Sequence, residues 1–289
     1  MKADLAASIH ARLSARAKTR GEIFQEVLTR YGIERFLYRL SLTPARDTLW
    51  LKGALLFDLW FDVPHRPTRD ADFLGFGSAD QDALQSVVHD ACTIDVPDGM
   101  RYEPDSIRVR EIREDAQYAG LRVTLTGTLK NARCPVQLDV GYGDAVTPGP
   151  EEALYPTLLD DLPAPRLRVY PRETVIAEKL EAIATLGIAN SRMKDYFDLR
   201  ALAGEGATNP RILSEAIRAT FERRRTPLPA SMLLGLDDQF ARDKVKQVQW
   251  NAFLAKNRLK GPTLDIVVRE VRAFLEAPLS QASKLGERR

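Results

Sequence analysis

The chain has 289 residues, of which 44% are hydrophobic and 28% are charged, and its formal net charge is +2. This composition is ordinary for a globular protein that can bury a core as one large domain or two smaller ones. It excludes a globally basic protein, so any contact with nucleic acid must come from a local patch.

The residues that most often mark metal, redox or targeting functions are few. Cys92 and Cys134 lie far apart, and the three histidines lack ligand spacing, so neither a disulfide framework nor a zinc site is expected. The N-terminal stretch has no continuous apolar core of a signal peptide, and no segment has the length of a membrane span. We therefore expect a reducing, cytoplasmic setting and no membrane partner.

Hydrophobic periodicity predicts mixed elements in the first half of the chain. Two helices are expected over residues 2–17 and 21–40, a strand over Thr48–Leu51, and a helix from Gly53 to about Phe61. A loop follows that contains Pro64 and Pro67. The next predicted elements are a strand at Ala71–Leu74, a helix at Asp80–Ala91, and strands at Ile107–Ile112, Leu121–Leu129 and Val136–Val140.

The second half is predicted to be helical after a proline-rich boundary loop. That loop spans Thr147–Arg168, with at most a brief element inside it. The predicted helices are Glu173–Leu186, Lys194–Ala203, Pro210–Arg224, Arg242–Lys256 and Thr263–Glu276. This order predicts an α+β protein, with N-terminal helices over 1–45, an α/β core over 46–165 and a helical domain over 166–289.

The segment LKGALLFDLWFDVPHRPTRDADFLG contains a pair of carboxylates, Asp70 and Asp72, at a predicted strand. Alternate residues of a strand share a face, so the two side chains are expected to project together. Adjacent anions repel each other unless a cation lies between them, and oxygen ligands suit Mg²⁺ or Mn²⁺. A solvated acidic loop after Arg69 is the alternative interpretation.

Three further positions have both a chemical and a structural interpretation. Lys52 and Gly53 form a strand-to-helix turn of a kind that can approach a phosphate, or they are an ordinary turn. Asp139, in the strand VQLDV, completes a cluster of three acids if that strand pairs beside Asp70, or it begins a turn. Lys179 lies at the edge of an apolar helix stripe, where it either reaches solvent or turns toward a phosphate.

The last candidates lie in the helical half. Asp195 and Asp198 are three residues apart and share a helix face, as functional acids or as helix-terminal charges. Two basic clusters, 223–225 and 244–260, could follow an RNA backbone, with Trp250 and Phe253 interleaved in the second. A solvated helix face with buried aromatic residues explains the same pattern.

Taken together, these motifs resemble a known family. The order is K-G-x-x-L, R-x-T-R-D-A-D, a strand ending L-D-V, E-K-L-x-A-I and R-x-K-D-Y-F-D-L. It resembles the AbiEii/MenT nucleotidyltransferase toxins of the DNA polymerase β-like superfamily, from about Leu51 to Leu199. The resemblance implies a polymerase β-like core and a bilobed arrangement.

The resemblance also implies roles for individual residues. Asp70 and Asp72 would hold Mg²⁺ and the nucleotide phosphates, and Asp139 would be the third carboxylate of the superfamily. Lys179 would contact the triphosphate as the essential lysine of the family. The remaining implied site residues are Lys52, Gly53 and Arg69 near the nucleotide, and Asp195 with Asp198 in the R-x-K-D-x-x-D-L motif.

The implied activity is transfer of a nucleotide from an NTP to an acceptor. Some family members add pyrimidines to the 3′ end of tRNA and so block translation, and they usually pair with a separately encoded antitoxin. Three other functions remain open on the residues alone. They are transfer to a protein or small-molecule hydroxyl, metal-dependent nuclease activity, and a non-catalytic binding role.

Overall fold

The computed structural model describes residues 2–61, 65–115, 118–204, 208–229 and 233–286. The chain forms two compact units, Met1–Gly143 with Glu151–Val169, and Asp144–Pro150 with Tyr170–Arg289. The first unit contains a sheet and its flanking helices, and the second is helical wherever it is described. The division into three domains at residues 45 and 165 stays a prediction.

The elements are numbered in chain order. The strands are β1 (Leu49–Lys52), β2 (Ala71–Gly75), β3 (Met100–Asp115), β4 (Tyr118–Leu129), β5 (Ala132–Tyr142), β6 (Glu151–Leu154) and β7 (Arg166–Val169). The α-helices of the first unit are α1 (Lys2–Arg20), α2 (Phe24–Ser41), α3 (Phe57–Trp60) and α4 (Gln81–Thr93). Those of the second unit are α5 (Arg172–Leu186), α6 (Met193–Gly204), α7 (Pro210–Arg223), α8 (Asp238–Arg242), α9 (Lys244–Asn257) and α10 (Leu264–Gly286).

The seven strands form one mixed sheet in the order β3-β4-β5-β2-β1-β7-β6. Strand β2 runs parallel to β5 and antiparallel to β1, so β2 lies at the centre. Helix α2 packs against β5, where the Cys134 thiol donates a hydrogen bond to the Leu28 carbonyl. Leu138 and Val140 share that face of β5 and are buried. The opposite face of the sheet is therefore the one that carries polar side chains.

The second unit is a helical assembly around α5, α6, α7 and α10, which contact one another. The apolar stripe of α5 contains Ile176, Leu180 and Ile183, and all three are fully buried. Gly187 ends the helix with a φ of 49°. The helical character of the chain after Arg172 is confirmed for the described residues.

The predicted α+β class is confirmed, with two local corrections. The Thr147–Arg168 loop contains two strands, because β7 pairs with β1 and buries Leu167 and Val169, while β6 pairs with β7. The prolines that flank these short strands concealed them. In addition, the helix expected from Gly53 is a 3₁₀ turn over Gly53–Leu56 followed by the four residues of α3.

The short length of the helix after Gly53 bears on the predicted approach of this turn to a phosphate. So short a helix has almost no aligned dipole, so it does not provide a phosphate site at its N-terminus. Pro64, which was predicted to lie in the next loop, is outside the described residues, whereas Pro67 lies in irregular structure. None of the described helices has both the length and the apolar character that a membrane span requires.

Candidate functional site

Three carboxylates meet on the polar face of the sheet. Asp70, Asp72 and Asp139 each offer an oxygen atom, and these oxygens all lie within 4.8 Å of one another. Asp139 is buried, while Asp70 and Asp72 are partly exposed. The condition stated for Asp139, that its strand lies beside the strand of Asp70 and Asp72, is met.

The strand register explains this meeting. Asp72 in β2 lies directly opposite Asp139 in the parallel neighbour β5. Asp70 comes just before β2, two residues from Asp72, so the strand period directs both side chains to one face. The Thr68 hydroxyl donates a 2.9 Å hydrogen bond to Asp70 Oδ1 and orients that carboxylate from the loop.

Gly53 is required by its neighbour Asp72. Its φ is +75°, a left-handed conformation that favours glycine, and a β-carbon at this position would collide with the Asp72 carboxylate. Lys52 lies opposite Asp72 in the register of β1 and β2 and is buried. The Lys-Gly turn is therefore part of the wall of the carboxylate cluster.

Arg122 brings a positive charge to the same cluster. It lies opposite Asp139 in the register of β4 and β5. Its Nε donates to Asp139 Oδ1 at 2.7 Å and its Nη2 to Oδ2 at 2.5 Å. These hydrogen bonds, with the charges of Asp139, Asp70 and Asp72, raise the pKa of Arg122 above its ordinary value. Arg122 is therefore a permanent cation.

Asp139 also accepts from a second side chain. Gln137 Nε2 lies 3.3 Å from Asp139 Oδ1 and 3.4 Å from Oδ2. Both carboxylate oxygens of Asp139 thus already accept hydrogen bonds from Arg122 and Gln137. The orientation of the Asp139 carboxylate is therefore fixed by two neighbouring side chains.

The donor chemistry of the cluster fits a hard divalent cation. All three candidate ligands are carboxylates, and neither sulfur nor imidazole is among them. Three carboxylates meet two cations, Arg122 and Lys52, so the cluster retains an excess of negative charge. Asp70 and Asp72 would hold such a cation, with Asp139 as the third carboxylate.

A separate ionic cluster lies in the second unit. Lys179 Nζ in α5 donates to Asp195 Oδ1 and to Asp198 Oδ2 in α6, both at 2.8 Å. Arg192 Nε donates to Asp195 Oδ2, also at 2.8 Å. Both carboxylates are buried, and 13% of the Lys179 side chain is exposed. Two cations and two anions balance here.

The balance determines the ionisation of Asp195. Burial alone would raise the pKa of this carboxyl, but the charges of Lys179 and Arg192 and the hydrogen bond from Lys179 outweigh burial. Its pKa therefore lies below the ordinary value, and Asp195 is charged at neutral pH. The ion pairs of Lys179 contradict the interpretation in which its side chain extends into solvent, whereas contact with a phosphate stays a prediction.

Two of the basic residues suggested for RNA contact in the helical half, Arg224 and Lys246, are held by contacts within the fold. The Arg224 guanidinium bonds Glu181 and Asp144, and Lys246 is buried and donates to the Asn190 carbonyl. Trp250 is buried and donates to the Pro262 carbonyl. Trp250 is therefore buried, as the alternative interpretation expected, while the other basic residues of the two clusters are exposed and their contact with RNA stays a prediction.

Arg69 is exposed in the loop before Asp70. The residues not singled out from sequence are Arg122, Gln137 and Thr68. Arg122 lies in the predicted strand Leu121–Leu129, in which apolar and polar residues alternate. That alternation was the available signal, because it placed Arg122 on the polar face, but nothing in the sequence fixed the register that brings it to Asp139.

The comparison with protein families bears directly on these observations. Residues 35–277 match the family described as "Nucleotidyl transferase AbiEii toxin, Type IV TA system". The chain belongs to the AbiEii nucleotidyltransferase toxin family. It is therefore a nucleotidyltransferase enzyme, as the motif order predicted. Membership also implies a nucleotide substrate and an antitoxin as partner.

Two solved structures are similar to this AbiEii family member. JHP933 from Helicobacter pylori is 18% identical, with 88% of this chain and 91% of that chain covered and a TM-score of 0.48. A candidate nucleotidyltransferase from H. pylori is 17% identical, with 90% and 96% covered and a TM-score of 0.44. No curated protein sequence matches the chain significantly.

Proposed function

We propose that this AbiEii nucleotidyltransferase uses Mg²⁺ or Mn²⁺ to transfer a nucleotide from an NTP to the 3′ end of an RNA, namely tRNA, and so blocks translation. The observation that carries the proposal is the cluster of Asp70, Asp72 and Asp139, whose oxygens lie within 4.8 Å of one another. In a nucleotidyltransferase, an excess of negative charge of this kind is the expected site for a divalent ion.

The proposed reaction exchanges one bond at the α-phosphorus for another. The acceptor hydroxyl oxygen forms a bond to the α-phosphorus of the NTP, the bond from that phosphorus to the bridging oxygen of the β-phosphate breaks, and pyrophosphate leaves. The proton of the hydroxyl passes to a basic oxygen of the site. A divalent ion, when bound, lowers the pKa of the attacking hydroxyl and offsets the phosphate charge.

The side chains of the first unit have separate tasks in this proposal. Asp70 and Asp72 bind the ion, and Thr68 keeps the Asp70 carboxylate in place. Asp139 mainly positions Arg122, whose guanidinium offsets charge on the bound nucleotide. Lys52 and Gly53 form the wall beside Asp72, with Lys52 near the phosphates.

Residues of other segments have proposed roles that rest on the family motifs. Lys179 and Asp195 are proposed catalytic residues, Lys179 as a contact of the triphosphate, and Asp198 assists by fixing Lys179. Arg69 is proposed to contact the nucleotide from its exposed loop. An antitoxin is the expected protein partner, and the supply of NTP and tRNA places the reaction in the cytoplasm.

The proposal is tested by incubating the protein with each α-³²P-labelled NTP, Mg²⁺ and total tRNA, followed by a denaturing gel. Asp70→Asn is the test variant. Asp90→Asn, an exposed acid of α4 outside the cluster, is its matched control. We expect wild type and Asp90→Asn to label tRNA with one preferred NTP, and Asp70→Asn to leave it unlabelled.

Three other results would contradict the proposal in distinct ways. Label on a protein band, insensitive to RNase, would mean that the acceptor is a protein side chain. Label on a small molecule would mean a small hydroxyl acceptor. Shortened, unlabelled tRNA that forms without NTP would mean nuclease activity.

A further inference from the structure

Strands β3, β4 and β5 present an open polar face. Along β4, Leu121, Val123 and Leu125 are buried, while the alternating residues are only half-buried. Those alternating residues are Arg122, Thr124, Thr126 and Thr128. Since successive side chains of a strand point to opposite faces, this second set lies on the side of the sheet away from the core.

The carboxylate cluster lies on this same face. Asp72 is opposite Asp139, Asp139 is opposite Arg122, and Arg122 is opposite Arg110 of β3. Directly opposed residues of neighbouring strands share a face and lie about 5 Å apart. A continuous row of charges therefore runs across four strands, with acids at one end and arginines at the other.

The face beyond that row is strongly basic. The register adds Arg101 and Arg108 on β3, opposite Thr128 and Thr124, and Arg133 on β5, opposite Thr128. These arginines and Arg110 are all exposed. With Arg122, five arginines of β3, β4 and β5 share this face, and the acids that these three strands place there are Glu103 and Asp139.

We propose that this arginine face, defined by Arg101, Arg108, Arg110, Arg122 and Arg133, binds the sugar–phosphate backbone of the RNA acceptor. The inference rests on the proposed function and adds to it the surface on which the acceptor lies. Repeated cations on a flat surface match the repeated anions of a phosphodiester chain. The face leads to the carboxylates, so a strand bound along it has its end at the reacting groups.

A nucleic acid suits this face better than a protein partner does. Protein interfaces depend on buried apolar and aromatic anchors at their centre. Here the β4 positions between the arginines are threonines, which offer hydroxyl groups and little apolar area. Phosphate contacts fix position and carry no sequence information, so we expect the face to bind RNA with weak sequence preference.

Arg108 and Arg110 are the best positions to test. Both are exposed and two residues apart. The Arg108 guanidinium donates to two carbonyls of its own strand, those of Asp105 and Ile107. The test variant is Arg108→Gln with Arg110→Gln. The matched control is Lys18→Gln with Arg20→Gln, which removes two exposed charges from α1 in the same unit.

The measurement is tRNA binding by fluorescence anisotropy across a salt series. We expect the test variant to bind about tenfold more weakly at low salt, and the slope of log K against log salt to fall by about 1.5, as for two lost phosphate contacts. The control should match wild type. Stabilisation of the protein by Mn²⁺ should be unchanged in both, because neither variant touches the carboxylates.

The outcomes separate this inference from the proposed function. If wild type labels tRNA but the test variant binds and labels like the control, the arginine face is not the acceptor site and the proposed function stands. If wild type neither binds nor labels tRNA, both are wrong. If the arginines instead govern binding of an acidic peptide and leave RNA binding unaffected, the face is a protein-docking surface and the inference is overturned.

Discussion

The two ionic clusters of this chain differ in charge balance. The sheet cluster gathers three carboxylates, Asp70, Asp72 and Asp139, near two cations, Arg122 and Lys52. The helical cluster pairs Asp195 and Asp198 with Lys179 and Arg192. The first has an excess of carboxylates and the second has none.

This difference separates two uses of buried or half-buried charge. A balanced and hydrogen-bonded cluster is satisfied within the fold, and removing one member leaves an unpaired buried charge. An acid-rich cluster is held together against its own repulsion, so removing one member relieves strain and costs the ability to hold a cation. Substitutions in the helical cluster should therefore lower the stability of the protein. Substitutions in the sheet cluster should instead lower its activity and spare its stability.

The largest effect is expected from Asp72→Asn. Loss of a ligand for the divalent ion should lower nucleotide transfer about a thousandfold or more. The midpoint of urea unfolding should stay the same or rise, because one of three neighbouring negative charges is gone. Rates of label transfer and urea unfolding curves, with Asp90→Asn alongside, check both parts. An unfolded Asp72→Asn protein would contradict the comparison.

Lys179→Met should show the opposite pattern in stability. It leaves the buried carboxylates of Asp195 and Asp198 without their shared cation, which should cost about 3 kcal/mol of unfolding free energy. Urea unfolding is the measurement, and Lys244→Met, an exposed lysine of α9, is the control. A loss of activity at full stability would show that Lys179 acts only in catalysis.

Gly53→Ala tests the wall of the sheet cluster. The added methyl group collides with the Asp72 carboxylate, so Mn²⁺ affinity should fall about tenfold or more, in addition to a cost of about 1 kcal/mol for a left-handed alanine. Gly21→Ala is the control, because Gly21 has a similar φ of 65° but nothing within 4 Å of its would-be β-carbon. Equal Mn²⁺ affinity in both variants would refute the role given to Gly53.

Acid pH should lower the free energy of unfolding that the helical cluster contributes, by less than the substitutions described above. The pKa of Asp195 is lowered in the folded state, so its stabilisation is present above the ordinary carboxyl pKa and is lost as the pH falls through the folded value. Unfolding free energy measured from pH 6 downward should therefore fall below about pH 4 more steeply in wild type than in Asp195→Asn. Parallel curves would mean that Asp195 gains nothing from Lys179.

Much of the site could be predicted from local sequence patterns, because the directions of these side chains depend on residues close to them in the chain. The strand period alone placed Asp70 and Asp72 on one face, and glycine after Lys52 indicated a close approach of the backbone. Asp139 could be predicted only conditionally, since its approach depends on β5 lying beside β2.

The other contacts of the two clusters, and two of the strands, depend on tertiary pairing that no local sequence pattern encodes. The contact between Arg122 and Asp139 follows from the register of β4 and β5. The bonds from Lys179 to Asp195 and Asp198 follow from the packing of α5 on α6. Strands β6 and β7 were missed because they are short, lie among prolines, and owe their conformation to the pairing of β7 with β1 and of β6 with β7.

Whether the sheet cluster binds a divalent ion is tested most directly by the melting temperature of the protein as Mn²⁺ is added. Wild type and Asp72→Asn are measured side by side. Binding to the folded state alone must raise stability. We predict that Mn²⁺ raises the melting temperature of wild type and leaves that of Asp72→Asn unchanged. An equal rise in both proteins, or none in wild type, would contradict the claim that the sheet cluster is built to hold a divalent ion.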